Sequence, residues 1–285
     1  MRMPSYLGWA AAGLLLAAAA DAAPETARVP PGGAVHSATL SYQLYTIGLH
    51  PLDFSVALAL DSDRYDIALR GTTKGVVDFF MRWVSSSLAE GQLVGHRPAP
   101  QLLRSLNRFH GTPRRVTIDY ASGVPVATVD PPPTSDDRDP VTPEQQKNTV
   151  DPLSAVLDLV QRVAHGEGCQ ATERVFDGRR RFDIAVSDAG MQTLEPNRHS
   201  PYDGVAQVCD FSIEKIAGFN RRPSSGGYDQ AQPEKVVYRS WAMRVLPGLP
   251  ALPVRIRGEG SLGAFTLYLT AVVPGTPRPS VADLQ

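Results

Sequence analysis

Residues 258–263 read Gly-Glu-Gly-Ser-Leu-Gly, the G-x-G-x-x-G spacing of a loop that cradles a dinucleotide pyrophosphate. That chemistry needs the loop to open a helix, so that the phosphates rest on the helix N-terminus. Here an alternating run follows instead, Phe265, Leu267 and Leu269 against Thr266, Tyr268 and Thr270, which is strand periodicity. The six residues therefore read as a turn between antiparallel strands. Six histidines (His36, His50, His96, His110, His165 and His199) stand singly, none at the i, i+4 spacing of a zinc helix. The two cysteines, Cys169 and Cys209, lack C-x-x-C spacing, and no G-x-S-x-G elbow offers a nucleophilic serine. Ser154 and Ser212 have acidic neighbours in sequence, as serines commonly do. Asp61 and Asp63 sit where a hairpin turn is expected, and carboxylates there support the bend. Asp136, Asp137 and Asp139 lack the glycine bend and closing glutamate of a calcium loop. Arg179-Arg180-Arg181 has the chemistry to grip a phosphate. On a strand, however, alternate residues point to opposite faces, and Glu173 and Asp183 are at hand to neutralise them, so a structural role is expected. No catalytic residue, metal or cofactor is read from these patterns, and a non-enzymatic protein is the expectation. A site assembled only in space stays open.

Composition bounds the setting. The chain opens Met1-Arg2-Met3, continues with the apolar run 7–20 and then Ala20-Asp21-Ala22, the layout of a cleaved signal peptide over residues 1–22. The run is shorter than the roughly 20 residues a spanning helix needs. A periplasmic protein that does not span the membrane after cleavage is expected. Net charge is −1, so no polyanion-binding field is implied and no nucleic-acid partner is expected. Arginine outnumbers lysine 24 to 4, but acidic residues match the total. Two cysteines in an exported chain are expected to pair as Cys169–Cys209, closing a loop worth roughly 4 kcal/mol in chain entropy.

These residues need elements to hold them. Residues 23–36 read as a flexible lead-in. Alternation then predicts strands beginning at Ser37, with further strands carrying Phe54–Leu60 and Tyr65–Leu69. A short helix is predicted over 75–83, and strands over 85–94, 102–109, 115–120 and 124–129. Breaks are predicted at Gly48–Pro51 and Gly95–Pro100. The segment 130–148, rich in Pro and Asp, reads as a polar extended linker. A helix over 151–164 has Asp151 as N-cap and Pro152 at N1, with the apolar stripe Leu153, Val156, Leu157 and Val160 continuing to Val163. Asp158, Gln161 and Arg162 are expected to face away. A hairpin turning at Asp177-Gly178 joins strands 172–176 and 179–186. Residues 187–202 and 218–233 read as loops, 205–216, 236–243, 254–258 and 264–272 as strands, and 273–285 as a tail.

Five segments, Leu40–Tyr45, Asp151–Leu157, Phe176–Phe182, Leu252–Ile256 and Leu262–Phe265, together resemble the bacterial domain-of-unknown-function 3108 family. The resemblance covers most of 37–272. It implies an exported cell-envelope protein, mostly β, with no established activity and no catalytic residues to carry over. The linker 130–148 departs from a compact pattern.

The expected fold is α+β, mostly β, as one β-rich domain over 37–272. A strongly curved antiparallel sheet or partly closed β-barrel packs on one main helix. Curved sheets can enclose cavities, so a secreted carrier of an apolar or amphipathic, lipid-like molecule is expected, with the stripe Leu153, Val156, Leu157 and Val160 facing the cavity. The alternative is a protein–protein interaction module for an envelope partner, using an edge strand or the loops 130–148 and 218–233.

Overall fold

The computed structural model describes residues 36–132, 138–219, 237–260, 263–275 and 278–280. The expected signal peptide, nearly all of the lead-in, Asp136, Asp137 and most of the 218–233 loop lie outside these residues. The chain runs as β1 (Ser37–Thr46), β2 (Leu49–Leu60), β3 (Arg64–Thr73), α1 (Gly75–Phe80), β4 (Trp83–Val94), β5 (Arg97–Phe109), β6 (Thr112–Asp119) and β7 (Val126–Asp130). It continues as α2 (Pro143–Gln146), α3 (Pro152–Ala164), β8 (Ala171–Phe176), β9 (Arg181–Leu194), β10 (Gly204–Ala217), β11 (Val237–Met243), β12 (Leu252–Gly260) and β13 (Gly263–Pro274).

Among the described residues, 13 strands form one antiparallel sheet in the order β7-β6-β5-β4-β3-β2-β1-β13-β12-β11-β10-β9-β8. It is two meanders joined where β1 pairs with β13, from Ala38 opposite Pro274 to Thr46 opposite Phe265. Period-two burial makes one face apolar. Leu40, Leu58, Ile67, Ala89, Leu103 and Ile118 come from six different strands and fall in one buried cluster with Leu157 and Val160 of α3. The sheet curls around that helix, for α3 touches both β5 and the edge strand β8. The edges β7 and β8 do not pair, so the curl does not close.

The seam is bridged in two ways. Val150 donates to the carbonyl of Arg174 and accepts from the amide of Phe176, covering the β8 edge. The Asp177-Gly178 turn presses on β6, where a Cβ on Gly178 (φ +88°) would stand 2.3 Å from Val116 Cγ1. Only glycine fits there on both counts. The segment 138–150 is therefore not the extended linker expected. It holds α2, closed by a reciprocal Thr142–Gln145 capping box, and is tied to β10 by the Gly218 amide donating to Asp139 O.

Four further expectations change. The break at 48–51 shrinks to Ile47-Gly48, and that at 95–100 to Gly95-His96. Pro98 and Pro100 lie within β5 beside a register shift at Glu90/Gly91, where the ladder tolerates a missing N–H. β9 runs on to Leu194 although residues 187–193 are exposed, because the ladder to β10 rather than burial holds them. The C-terminal segment is anchored: β13 extends to Pro274, and Arg278 pairs with Asp61 and the buried Asp66.

Asp151 caps α3 as expected, accepting from the amides of Leu153 and Ser154. It is also fully buried, bonded by the Ser154 hydroxyl, which in turn meets Tyr65 Oη at 2.6 Å. Burial pushes the Asp151 carboxyl up and the Tyr65 phenol up, so this chain anchors the helix start to β3 without a charged group on display. Asp158 and Gln161, expected to face away, are buried. Arg97 reaches from β5 to both Asp158 carboxylate oxygens, at 2.9 and 2.7 Å, and Arg162 adds a third bond at 2.7 Å. Cys169 and Cys209 form the expected disulfide, with Cα atoms 5.8 Å apart, in a second apolar cluster with Val186.

Candidate functional site: an amphipathic chamber

Antiparallel pairing places directly opposite residues on one face. At the end of the sheet where β1 turns into β2 and β3 into β4, the inward face changes character. Leu69 and Gly71 of β3 lie opposite Ser87 and Ser85 of β4. These lie opposite Ser105 and Asn107 of β5, which meet Val116 and Arg114 of β6. Hydroxyl and amide groups thus replace the aliphatic side chains that line the rest of the interior. They border a cavity of about 600 Å³. Pro152 and Leu153, at the N-terminus of α3, form its inner wall. The helix therefore fills one half of the curled sheet and stops short of the other.

Four arginines converge on this cavity: Arg114, Arg138, Arg179 and Arg180. Arg180 is held by Asp177 at 2.7 Å, and Arg138 donates to Gly218 O at 3.0 Å. Among the described residues, neither Arg114 nor Arg179 has a carboxylate within ion-pair distance. Burial and the nearby charges of Arg114 and Arg138 push the Arg179 guanidinium below its ordinary value, against a smaller opposing effect of Asp177. Arginine does not deprotonate in this range, so the repulsion persists as a positive field that an anion would relieve.

A second cavity, of about 380 Å³, opens beside the first on the same inward face. Leu44, Leu52, Val77, Met81 and Phe265 make it apolar. Trp83 and Phe109, paired across β4 and β5, belong to the walls of both. The two abut at these side chains as the compartments of an amphipathic chamber, one apolar towards β13, β1 and β2, the other hydroxyl- and guanidinium-lined towards β5 and β6.

The predicted stripe is divided by this arrangement. Leu153 faces the chamber, Leu157 and Val160 are buried in the main core, and Val156 is half exposed beside a small apolar cavity of about 110 Å³ next to the disulfide. The arginine run is divided too. Arg181 is buried and bonded to Gln145 O, Phe182 O and Asp183, as a structural residue. Arg179 and Arg180 belong to the turn rather than to a strand, so the face-alternation argument does not apply to them. Sequence reading missed Arg114, Arg138, Ser105 and Asn107 as site residues. One signal was present: Ser105-x-Asn107-x-Phe109 has strand period with polar residues on the side continuous with Leu103.

At the opposite end, Asp158 and Glu173 form a carboxyl pair beside Arg97, Arg162, Glu167 and His96. Burial and the Asp158 carboxylate push Glu173 up to about 7, while Asp158 is held low by Arg97 and Arg162 against its own burial. His96 stacks on His165 at 4.3 Å. Among the described residues, no three His, Cys, Asp or Glu side chains converge as metal ligands would.

Comparison with known proteins agrees with this architecture. No curated protein matches the chain. Its fold is similar to a β-barrel-like protein of domain of unknown function DUF1849 from Brucella abortus, with TM-score 0.50, 10% identity, and 86% of this chain covering 99% of that one. No described helix is long and apolar enough to cross a membrane. The family model described as "Protein of unknown function (DUF3108)" matches residues 40–270, and the chain belongs to the DUF3108 family.

Proposed function

We propose that this protein is a non-enzymatic, exported binding protein for an amphipathic anion, an acyl-chain-like molecule with an acidic head. The observation that carries the reading is the shared Trp83–Phe109 wall, which sets an apolar cavity directly beside one where Arg114 and Arg179 lack carboxylate partners. An apolar tail would lie along Leu44, Leu52, Met81 and Phe265, and an acidic head would reach the guanidinium groups and the Ser105 and Asn107 side chains. Charge-assisted bonds from two arginines suit a carboxylate or phosphate head. The combined volume lies in the range of small-molecule sites. Export to the periplasm is supported by the signal-peptide pattern at residues 1–22 and by the disulfide.

Native mass spectrometry on protein recovered from the envelope of its own bacterium tests the reading. The expected spectrum contains added mass that organic solvent removes and that ionises as an acid. Bare polypeptide throughout would contradict it.

A further inference from the structure

We propose that the rim of the chamber docks on a lipid bilayer surface. Docking at this rim depends on the chamber's position in the fold and not on its ligand. α1 carries Val76, Phe79 and Phe80, all exposed, and Met81 follows; none of the six helix residues is buried. Phe79 is 83% exposed and stands edge-on to Phe80, with ring centres 5.1 Å apart. Two other turns at the same end add Ile47, 72% exposed, and Phe109, about half exposed. The three exposed phenylalanines among the described residues all lie here, contributed by turns far apart in sequence. Exposed apolar groups that fill no core are expensive unless something covers them.

Ile47 adds an independent sign. It occupies the left-handed region (φ +44°) ahead of Gly48 in a two-residue hairpin turn. Asparagine or aspartate would take that conformation at lower cost than a β-branched residue. Keeping an apolar side chain on the turn, against backbone strain, points to a contact it makes outside the molecule.

The occupant follows from shape and charge. The apolar groups sit on turns that project around an opening, a form suited to entering the headgroup and acyl boundary rather than to matching one protein face. Lys74 and Arg82 flank α1, and Arg108 adjoins Phe109. Asp53 and Asp78 face Lys74 at 3.1 Å and Arg82 at 3.7 Å, which leaves Arg108 as excess positive charge towards an anionic bilayer.

The test is flotation of the whole mature protein with phosphatidylethanolamine vesicles, with and without phosphatidylglycerol. Wild type should float with both, more strongly with phosphatidylglycerol and less at high salt. Phe79→Asp/Phe80→Asp should reduce the bound fraction at least ~10-fold, with unchanged thermal unfolding because neither ring is in the core. The same variant should still bind a dansyl-labelled fatty acid in solution, whereas Arg114→Gln/Arg179→Gln should still float, so the rim and the chamber fail separately. Wild type that does not float, or a double variant that floats equally, would overturn the proposal. So would a dimer that the two substitutions dissociate in the absence of any vesicle binding.

Discussion

Glu173 and Asp158 divide one negative charge between them. Asp158 takes the ionised role because Arg97 and Arg162 hold it, and Glu173 takes the protonated one because it is buried beside that carboxylate. A carboxyl raised from 4.5 to about 7 in the folded state binds its proton more tightly there than in the unfolded chain. Glu173 therefore lowers stability as pH rises through that window, fully so above it, while Asp158 acts in the opposite sense only at acidic pH. Glu173→Gln keeps a donor to Asp158 and removes the second charge. Its unfolding free energy should exceed that of wild type by about 1–3 kcal/mol at pH 8 and match it near pH 4. Denaturant titrations at the two pH values check this, and a variant no more stable at pH 8 would contradict the assignment. None of this was legible in sequence. Asp158 lies on the helix side that periodicity assigned to solvent, and only the reach of Arg97 from β5 reverses that assignment.

Elements were more legible where local chemistry decides them. The Asp151-Pro152 start of α3, the Asp177-Gly178 turn and the strand alternation of β1, β2 and β13 needed only capping, turn and period arguments. Elements whose existence depends on a distant partner were misread: the outer half of β9, the proline-bearing start of β5, and α2 within the segment 138–150. The candidate site belongs to the second kind. Ser105 and Asn107 lie on a strand recognised from sequence and Arg114 just ahead of the one expected over 115–120, but Arg179 reaches them only because the β8–β9 turn crosses the seam to β6. That crossing yields its own prediction. Gly178→Ala places a methyl against Val116 in a left-handed conformation and should cost about 1–3 kcal/mol, read as a lower denaturant midpoint with unchanged slope. An unchanged midpoint would mean that the turn does not press on β6 in solution. The edges bear on the alternative role as an interaction module. Val150 covers β8, and β7 is only five residues long, a length that blunts strand addition.

At the scale of the whole molecule, a 13-stranded sheet curls around one end of its interior helix and leaves the other end open. α3 begins at Pro152, the polar strand faces and arginines lie beyond that end, and an apolar wall continues on the other side of Trp83 and Phe109. The proposed binding therefore turns on whether the guanidinium groups select an acidic head while the apolar wall holds a tail. Fluorescence titration with a dansyl-labelled fatty acid and with its methyl ester, on wild type and on Arg114→Gln/Arg179→Gln, tests this directly. Bonds from charged donors contribute about 1.5–3 kcal/mol, so the double variant should bind the acid roughly 10–100-fold more weakly and the ester equally well. Equal loss of both probes, or no loss of either, would contradict the account.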